Sequence, residues 1–397
     1  MVDAPRDAWI TGIGIVSCLG EGPDAHWQAL NAAHPQADAN TYAPYVVHRL
    51  APIEFDKQIP KKGDQRQMEP WQRIGTYAAG LALDSAGVKG NTEVLARMDM
   101  IVAAGVGERD QTVDCAILTD MRGATDAEIL LNERLMTDLR PTLFLAQLSN
   151  LLAGNISIVH GVVGSSRTFM GEEAAGIDAI RIAHSRISAG QSDIMLVGGA
   201  NNAERFDMLL LYEFGGNILK DRYLPVWERG DNGGFAYGSM GVFLVIEARE
   251  HAEKRGAKPI ARLTAVVSDR SNRKPGAATA TLSKLWDKLK QRIAPGGCAV
   301  LCGATGAVPA TAEERAFLAG HSDIAVRATG SYVGHAPEAQ FPMNIALAAI
   351  ALEHGSLFPP CDATGLEKPM SGELKQVVVT GVGHWRGEGL ALVEPAR

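Results

Sequence analysis

Residues 166–200 read SRTFMGEEAAGIDAIRIAHSRISAGQSDIMLVGGA. SRTFM (166–170) is short and β-like, Gly171 marks a tight turn, and a segment rich in Ala, Ile and Gly follows with helical character. DIMLVGGA (193–200) is a second apolar run ending in glycine. Strand, turn, helix and strand in this order predict an α/β chain. Two carboxylates, Glu172 and Glu173, stand at the mouth of the helix, ahead of small and apolar residues. A helix N-terminus carries partial positive charge from its unpaired N–H groups. It is the place where an enzyme would hold a low-pKa cysteine thiolate.

The same pattern extends in both directions. AWITGIGI (8–15), DMIVAAGVG (99–107), CAVLCGATG (298–306) and QVVVTGVG (376–383) are further β-like runs ending in glycine. WQRIGTYAAGLALDSAG (71–87) and FPMNIALAAIALEHG (341–355) are Ala-rich helical stretches between them. Apolar strands alternating with helices predict sheets covered on both faces. GFAYGSMGVFLVIEARE (234–250) and ARLTAVVSD (261–269) read as neighbouring strands joined through the helical HAEKRGAK link. The strand-rich pattern resumes near residue 297, which predicts two related halves, 1–250 and 251–397. SDRSNRKPG (268–276) reads as a surface loop.

The 397 residues are 46% hydrophobic and 21% charged, a globular composition. A net charge of −7 argues against general affinity for nucleic acid or an anionic membrane. Five scattered cysteines fit buried thiols in a reducing compartment; Cys298 and Cys302, four apart in a strand, share one sheet face. MVDAPRDAWITGIG lacks a basic region followed by an apolar one, and no run is long enough to span a bilayer, so a cytoplasmic location is expected.

Most local motifs fail. GATGAV (303–308) follows a strand, but Pro309 comes next and no third glycine falls in register for a dinucleotide pyrophosphate. GIGIVSCLG (12–20) also lacks the spacing. No P-loop, His-Glu-x-x-His or nucleophile elbow is present. The ten histidines show no metal-ligand spacing, and His251, His321 and His354 read as surface residues. No cofactor and no metal is expected.

Several long blocks, in order, resemble the β-ketoacyl-acyl-carrier-protein synthases of the elongating type II condensing-enzyme family. They are ITGIGIVSCLG (10–20), DQRQMEPWQRIGTYAAGLALDSAG (64–87), LLAGNISIVHGVVG (151–164), PVWERGDNGGFAYGSMGVFLVIEAREHAEKRGAKP (225–259) and GSYVGHAPEAQFPMNIALAAIALEHGSLFPP (330–360). The resemblance implies the thiolase fold, two similar α/β halves in a five-layered αβαβα core, and a dimer. It also implies a cysteine nucleophile, two histidines that assist decarboxylation of malonyl-carrier protein, and a buried lysine.

Carried over residue by residue, the cysteine position holds Glu173 and the first histidine position holds Gly303. The lysine position holds Gly330, and the second histidine is retained as His335. GVGHWRG (381–387) resembles the family's C-terminal gate with Val382 in place of its phenylalanine. Residues 173–180, EAAGIDAI, are similar to the pattern of the non-elongating chain-length-factor branch, with Glu for its Gln.

A carboxylate attacking a thioester would give a mixed anhydride, higher in energy than its precursor. Loss of a histidine donor removes stabilisation of about 3 kcal/mol or more. The resemblance therefore implies a catalytically silent partner of an active ketosynthase, in fatty acid or polyketide synthesis, with acyl carrier protein as a further partner. A second expectation is residual malonyl decarboxylation or acyl transfer by Glu173 and His335, for which general-acid work needs a raised pKa at Glu173. A third is an acyl-binding scaffold homodimer. Lys61, Lys62, Arg66 and Arg73 form a basic cluster, read equally as a solvated face and as a contact for acidic carrier protein.

Overall fold

The computed structural model describes residues 5–141, 143–230 and 233–396. The start of the N-terminal segment read for a signal, and Asp231 and Asn232 of the fourth resembling block, lie outside the described residues. Ten strands carry the architecture: β1 (Ala8–Ser17), β2 (Asp99–Ala103), β3 (Ser166–Phe169), β4 (Ile194–Asn201), β5 (Met240–Ala248), β6 (Ala261–Asp269), β7 (Cys298–Cys302), β8 (Ala325–Ala328), β9 (Gln376–Val382) and β10 (Glu388–Glu394). Among the helices of the described residues are α1 (Pro70–Ser85), α2 (Leu151–His160), α3 (Glu172–Ser188), α4 (Phe206–Phe214), α5 (Ala277–Leu289), α6 (Ala310–Ala319) and α7 (Gln340–Glu353).

Along the sheet the strands run β8-β7-β9-β10-β6-β1-β5-β4-β2-β3. In each half the first three strands from the outer edge are parallel, and the last two join antiparallel. Each half therefore has the same order, third-second-fourth-fifth-first by chain position. Within the sheet the halves join where β1 pairs with β6, through Trp9 with Arg262 and Ile10 with Ala261. This corrects one expectation. Strands β5 and β6, read as neighbours from residues 234–250 and 261–269, are separated by β1, which pairs with both.

The buried strands explain the apolar runs. In β5, Val242, Leu244 and Ile246 enter the central core, while Phe243 and Val245 enter an outer one. The central core also takes Ile177, Ile180 and Ala183 of α3 and most of α7. Helix α7 is buried on every side from Gln340 to Leu352, as expected for a helix apolar all round. Truncating one of its large side chains, such as Leu347→Ala, would cost about 2–5 kcal/mol. Helices α1 and α2 cover one sheet half and α5 and α6 the other, which completes five layers. Helix α1 starts on Pro70 behind a Glu69–Gln72 capping box. The central helices approach closely at Gly176, where a Cβ would lie 2.4 Å from the Glu338 carbonyl oxygen.

Smaller expectations divide. Cys298 and Cys302 are buried free thiols in one outer core. Lys61, Lys62 and Arg66 are exposed, but Arg73 is half-buried over the Phe55 ring, so it does not extend their surface. The 268–276 loop is not wholly superficial: Ser271 and Arg273 bind buried Glu388, and Arg273 also donates to the carbonyls of Gly383 and Gly387. Among the described residues, no helix is long and apolar enough to cross a membrane.

Candidate functional site

The site forms where α3 begins between the two halves. Gly171 (φ 112°) and Glu172 (φ 61°) both adopt the left-handed region, so the chain turns sharply from β3 into the helix. Glycine takes this conformation freely; at Glu172 it costs on the order of 1 kcal/mol. The turn directs Glu173 inward, where it is 5% exposed.

His335 follows the short helix Gly330–Val333 and is 1% exposed. Its Nε2 lies 2.8 Å from Glu173 Oε1. His384, in the loop after β9, donates its backbone N–H to Glu173 Oε2 at 3.3 Å. Its ring Nδ1 is 3.5 Å from Glu173 Oε1, and its Nε2 is 2.9 Å from Thr305 Oγ1. The Phe235 ring packs on both imidazoles, with centroids 4.9 Å and 5.4 Å away. Sequence reasoning missed His384 because GVGHWRG reads as a glycine-rich gate. The available signal was a polar ring in a loop that leaves a buried strand.

The electrostatics separate the carboxylates. Burial opposes ionisation of Glu173, but His384 and His335 outweigh it and hold the carboxyl well below its usual range. This runs against the raised pKa that general-acid work would need. Burial pushes His384 down to about 4, against the attraction of Glu173. Glu338, three residues beyond His335, shifts the other way. Burial raises it to about 7, helped by the charges of Glu173 and Glu172. A carboxyl that exchanges its proton near neutrality therefore stands beside one that stays ionised.

Gly303 and Gly330 do not join this cluster. Gly303 closes β7 against β9, where an added Cβ would lie 2.9 Å from the Thr380 carbonyl oxygen and 3.0 Å from Gly381 Cα. Its N–H points to buried Glu314 Oε1 and Thr380 Oγ1, each at 3.2 Å. Gly330 is buried, and a Cβ there would meet the Ala304 carbonyl oxygen at 3.1 Å. Of the four residues singled out in the sequence, the structure brings together Glu173 and His335.

Beside the site lies a cavity of about 720 Å³, lined among others by Met170, Glu172, Tyr237, Glu338 and Trp385. No sulfur nucleophile occupies the head of α3. Cys18, which contacts His48 at 3.5 Å, has its thiol pushed up to about 12 by burial, so it is not an activated nucleophile.

Two similar halves in five layers, with a sharp strand-to-helix elbow leading into a buried central helix, define a thiolase-fold protein. Residues 6–252 match the family described as β-ketoacyl synthase, N-terminal domain, and the chain belongs to that family. It is 26% identical over 268 residues to 3-oxoacyl-(acyl-carrier-protein) synthase 2 of Vibrio cholerae serotype O1, which covers 64% of this chain and 60% of that protein. This chain thus matches about three fifths of that relative's length. Over 399 residues it is 25% identical to the tetracenomycin polyketide synthase ketoacyl synthase beta subunit of Streptomyces glaucescens, covering 94% of this chain and 91% of that one. The solved ishigamide ketosynthase/chain length factor superposes with a TM-score of 0.81 at 18% identity, covering 99% of this chain and all of the other.

Proposed function

We propose that this chain is a non-elongating partner of an active β-ketoacyl synthase in fatty acid or polyketide synthesis. The observation that carries the reading is Glu173 bonded to His335 at the head of α3, its carboxyl held below the usual range by the two imidazoles. A buried carboxylate there enjoys the helix dipole as a thiolate would, yet it cannot form a stable acyl-enzyme. Gly303 and Gly330 support the reading, because neither supplies a side-chain donor or a cation. The resemblance to a ketoacyl synthase beta subunit over nearly the whole chain agrees with it.

Assembly has support in the sheet edge. Strand β3 ends the sheet, and Ser166 and Arg167 on it are exposed. Ile158 (74% exposed) precedes it and Met170 (60%) follows it. An open edge flanked by apolar side chains invites a paired strand from a second subunit. Acyl carrier protein, approaching exposed Lys61, Lys62 and Arg66, belongs to the same proposal. So does the division of the chain into residues 1–250 and 251–397, supported by the strand order repeated on either side.

A second reading is kept for one observation. Glu338 beside the cavity has the proton affinity of a group that could serve decarboxylation of a malonyl thioester. The acyl-binding homodimer is the third outcome of the same test, supported by the cavity alone. The test is co-expression with a cysteine-bearing ketosynthase from the same genome, pull-down, and assay of product length with and without this chain. A one-to-one complex with altered product length or yield supports the first reading. A homodimer that ignores the ketosynthase sinks it; carbon dioxide release from malonyl-carrier protein then selects the second reading, and a co-purified acyl chain without turnover the third.

A further inference from the structure

The bond between Glu173 and His335 leaves a third group unexplained. His384 Nδ1 is buried and has no hydrogen-bond partner among the described residues, although the ring is tightly placed. Thr305 Oγ1 engages the opposite nitrogen at 2.9 Å, and the backbone N–H of His384 is tied to Glu173 Oε2. The ring is thus oriented with its free nitrogen toward Glu173 Oε1, 3.5 Å away. Hydroxyl engagement of the distal nitrogen is what a metal-ligating histidine needs to fix its ring and tautomer.

We propose that Glu173, His335 and His384 bind one divalent transition-metal ion, with zinc as the reference case. One donor atom from each lies within 4.8 Å of the others. The two measured gaps to Glu173 Oε1 are 2.8 Å from His335 Nε2 and 3.5 Å from His384 Nδ1. Tetrahedral zinc with bonds of about 2.1 Å sets donor–donor gaps of about 3.4 Å, so the His384 gap already fits and the His335 gap must open by about 0.6 Å. Two neutral imidazoles and one carboxylate suit zinc or its first-row neighbours and disfavour magnesium and calcium, which want oxygen donors. The donor set carries one negative charge. The nearby Arg273 guanidinium is already paired with Glu388, which limits its repulsion of a cation. Phe235 packs on both rings and helps to shield the site from water.

The three residues come from the head of α3, the loop after residues 330–333 and the loop after β9, so their spacing in the sequence carries no ligand signal. That is why no metal was expected from the histidine pattern. Three protein ligands leave a four-coordinate ion one position for a water or for an oxygen or sulfur donor of a ligand. The inference stands apart from the partnership proposed above, since metal binding by the isolated chain requires no second protein.

The experiment uses the full chain without a histidine tag, stripped with chelator and titrated with cobalt(II), then competed with zinc. Expected are one equivalent of cobalt with visible absorption bands of a low-symmetry site, displacement by one zinc, and a melting temperature that zinc raises and chelator lowers. His384→Ala and Glu173→Ala should each weaken binding about 100-fold or more. Thr305→Val, which touches no ligand atom, should weaken it about 10-fold. His321→Gln, at a distant half-buried histidine, should change nothing. Folded wild-type protein with no stoichiometric cobalt bands overturns the proposal, even where a variant fails to fold. So does a folded His384→Ala protein that binds as tightly as wild type.

Discussion

Glu173 Oε1 accepts from His335 Nε2 at 2.8 Å across 162 residues of chain, and both residues are buried. Charge-assisted bonds are the stronger kind, and in a buried setting each partner depends on the other. Removing the carboxylate leaves the His335 ring with no partner at either nitrogen among the described residues, since its Nδ1 already has none there. In chelator-treated protein, Glu173→Ala should lower stability by about 2–3 kcal/mol, and Glu173→Gln, which keeps an acceptor oxygen, by about half as much or less. Urea unfolding measures both; an alanine variant as stable as wild type would contradict the bond's role.

Restoring sulfur should not restore condensation. Glu173→Cys places a thiol at the head of α3, but Gly303 and Gly330 still supply no histidine and no lysine. Adding Gly303→His should cost about 1–3 kcal/mol or more, because its Cβ would press on β9 at Thr380 and Gly381. The expected result is a thiol that can be alkylated, with no detectable β-ketoacyl product. Elongation by the single Glu173→Cys variant would show that the other two positions matter little.

How much of this was legible follows from what each feature needs. The fold was legible because strands buried on both faces write themselves as unbroken apolar runs, as in QVVVT (376–380) and in DIMLVGGA (193–200). Glu173 was legible because a turn glycine, two carboxylates and a small-residue helix follow one another directly. The placement of β1 between β5 and β6 was not, since strand pairing across most of the chain leaves no local mark. His384 was hidden for the same reason: it meets Glu173 across 211 residues. The opposite proton affinities of Glu173 and Glu338 depend on packed neighbours, which neither residue's sequence context names.

Glu314 predicts a distinct pH response. It is fully buried in contact with Thr380 and the N–H of Gly303, and its Oε2 has no partner among the described residues. Burial raises its pKa from 4.5 to about 7. The unfolded chain therefore releases this proton first as pH rises. The stability that the protonated group provides is complete below about 4.5, is lost as pH climbs to about 7, and stays lost above. The loss is up to about 3 kcal/mol, from about 1.4 kcal/mol per unit. Glu314→Gln removes the titration, so its stability relative to wild type should rise between pH 4.5 and 7. Parallel stability curves for the two proteins over that range would refute the assignment.

The sheet edge gives the last test. Ile158 is 74% exposed on α2, next in sequence to the open strand β3. A charge there meets only water in the isolated chain, so Ile158→Glu should change its stability by less than about 0.5 kcal/mol. In an assembly that pairs β3 with a second subunit, the same carboxylate would be buried without a partner, at a cost of several kcal/mol. Analytical ultracentrifugation should then show the complex with a cysteine-bearing ketosynthase, or the homodimer, weakened at least 10-fold while the melting temperature of the monomer is kept. An assembly of unchanged affinity would place the interface on another face of the molecule and leave β3 without its proposed partner.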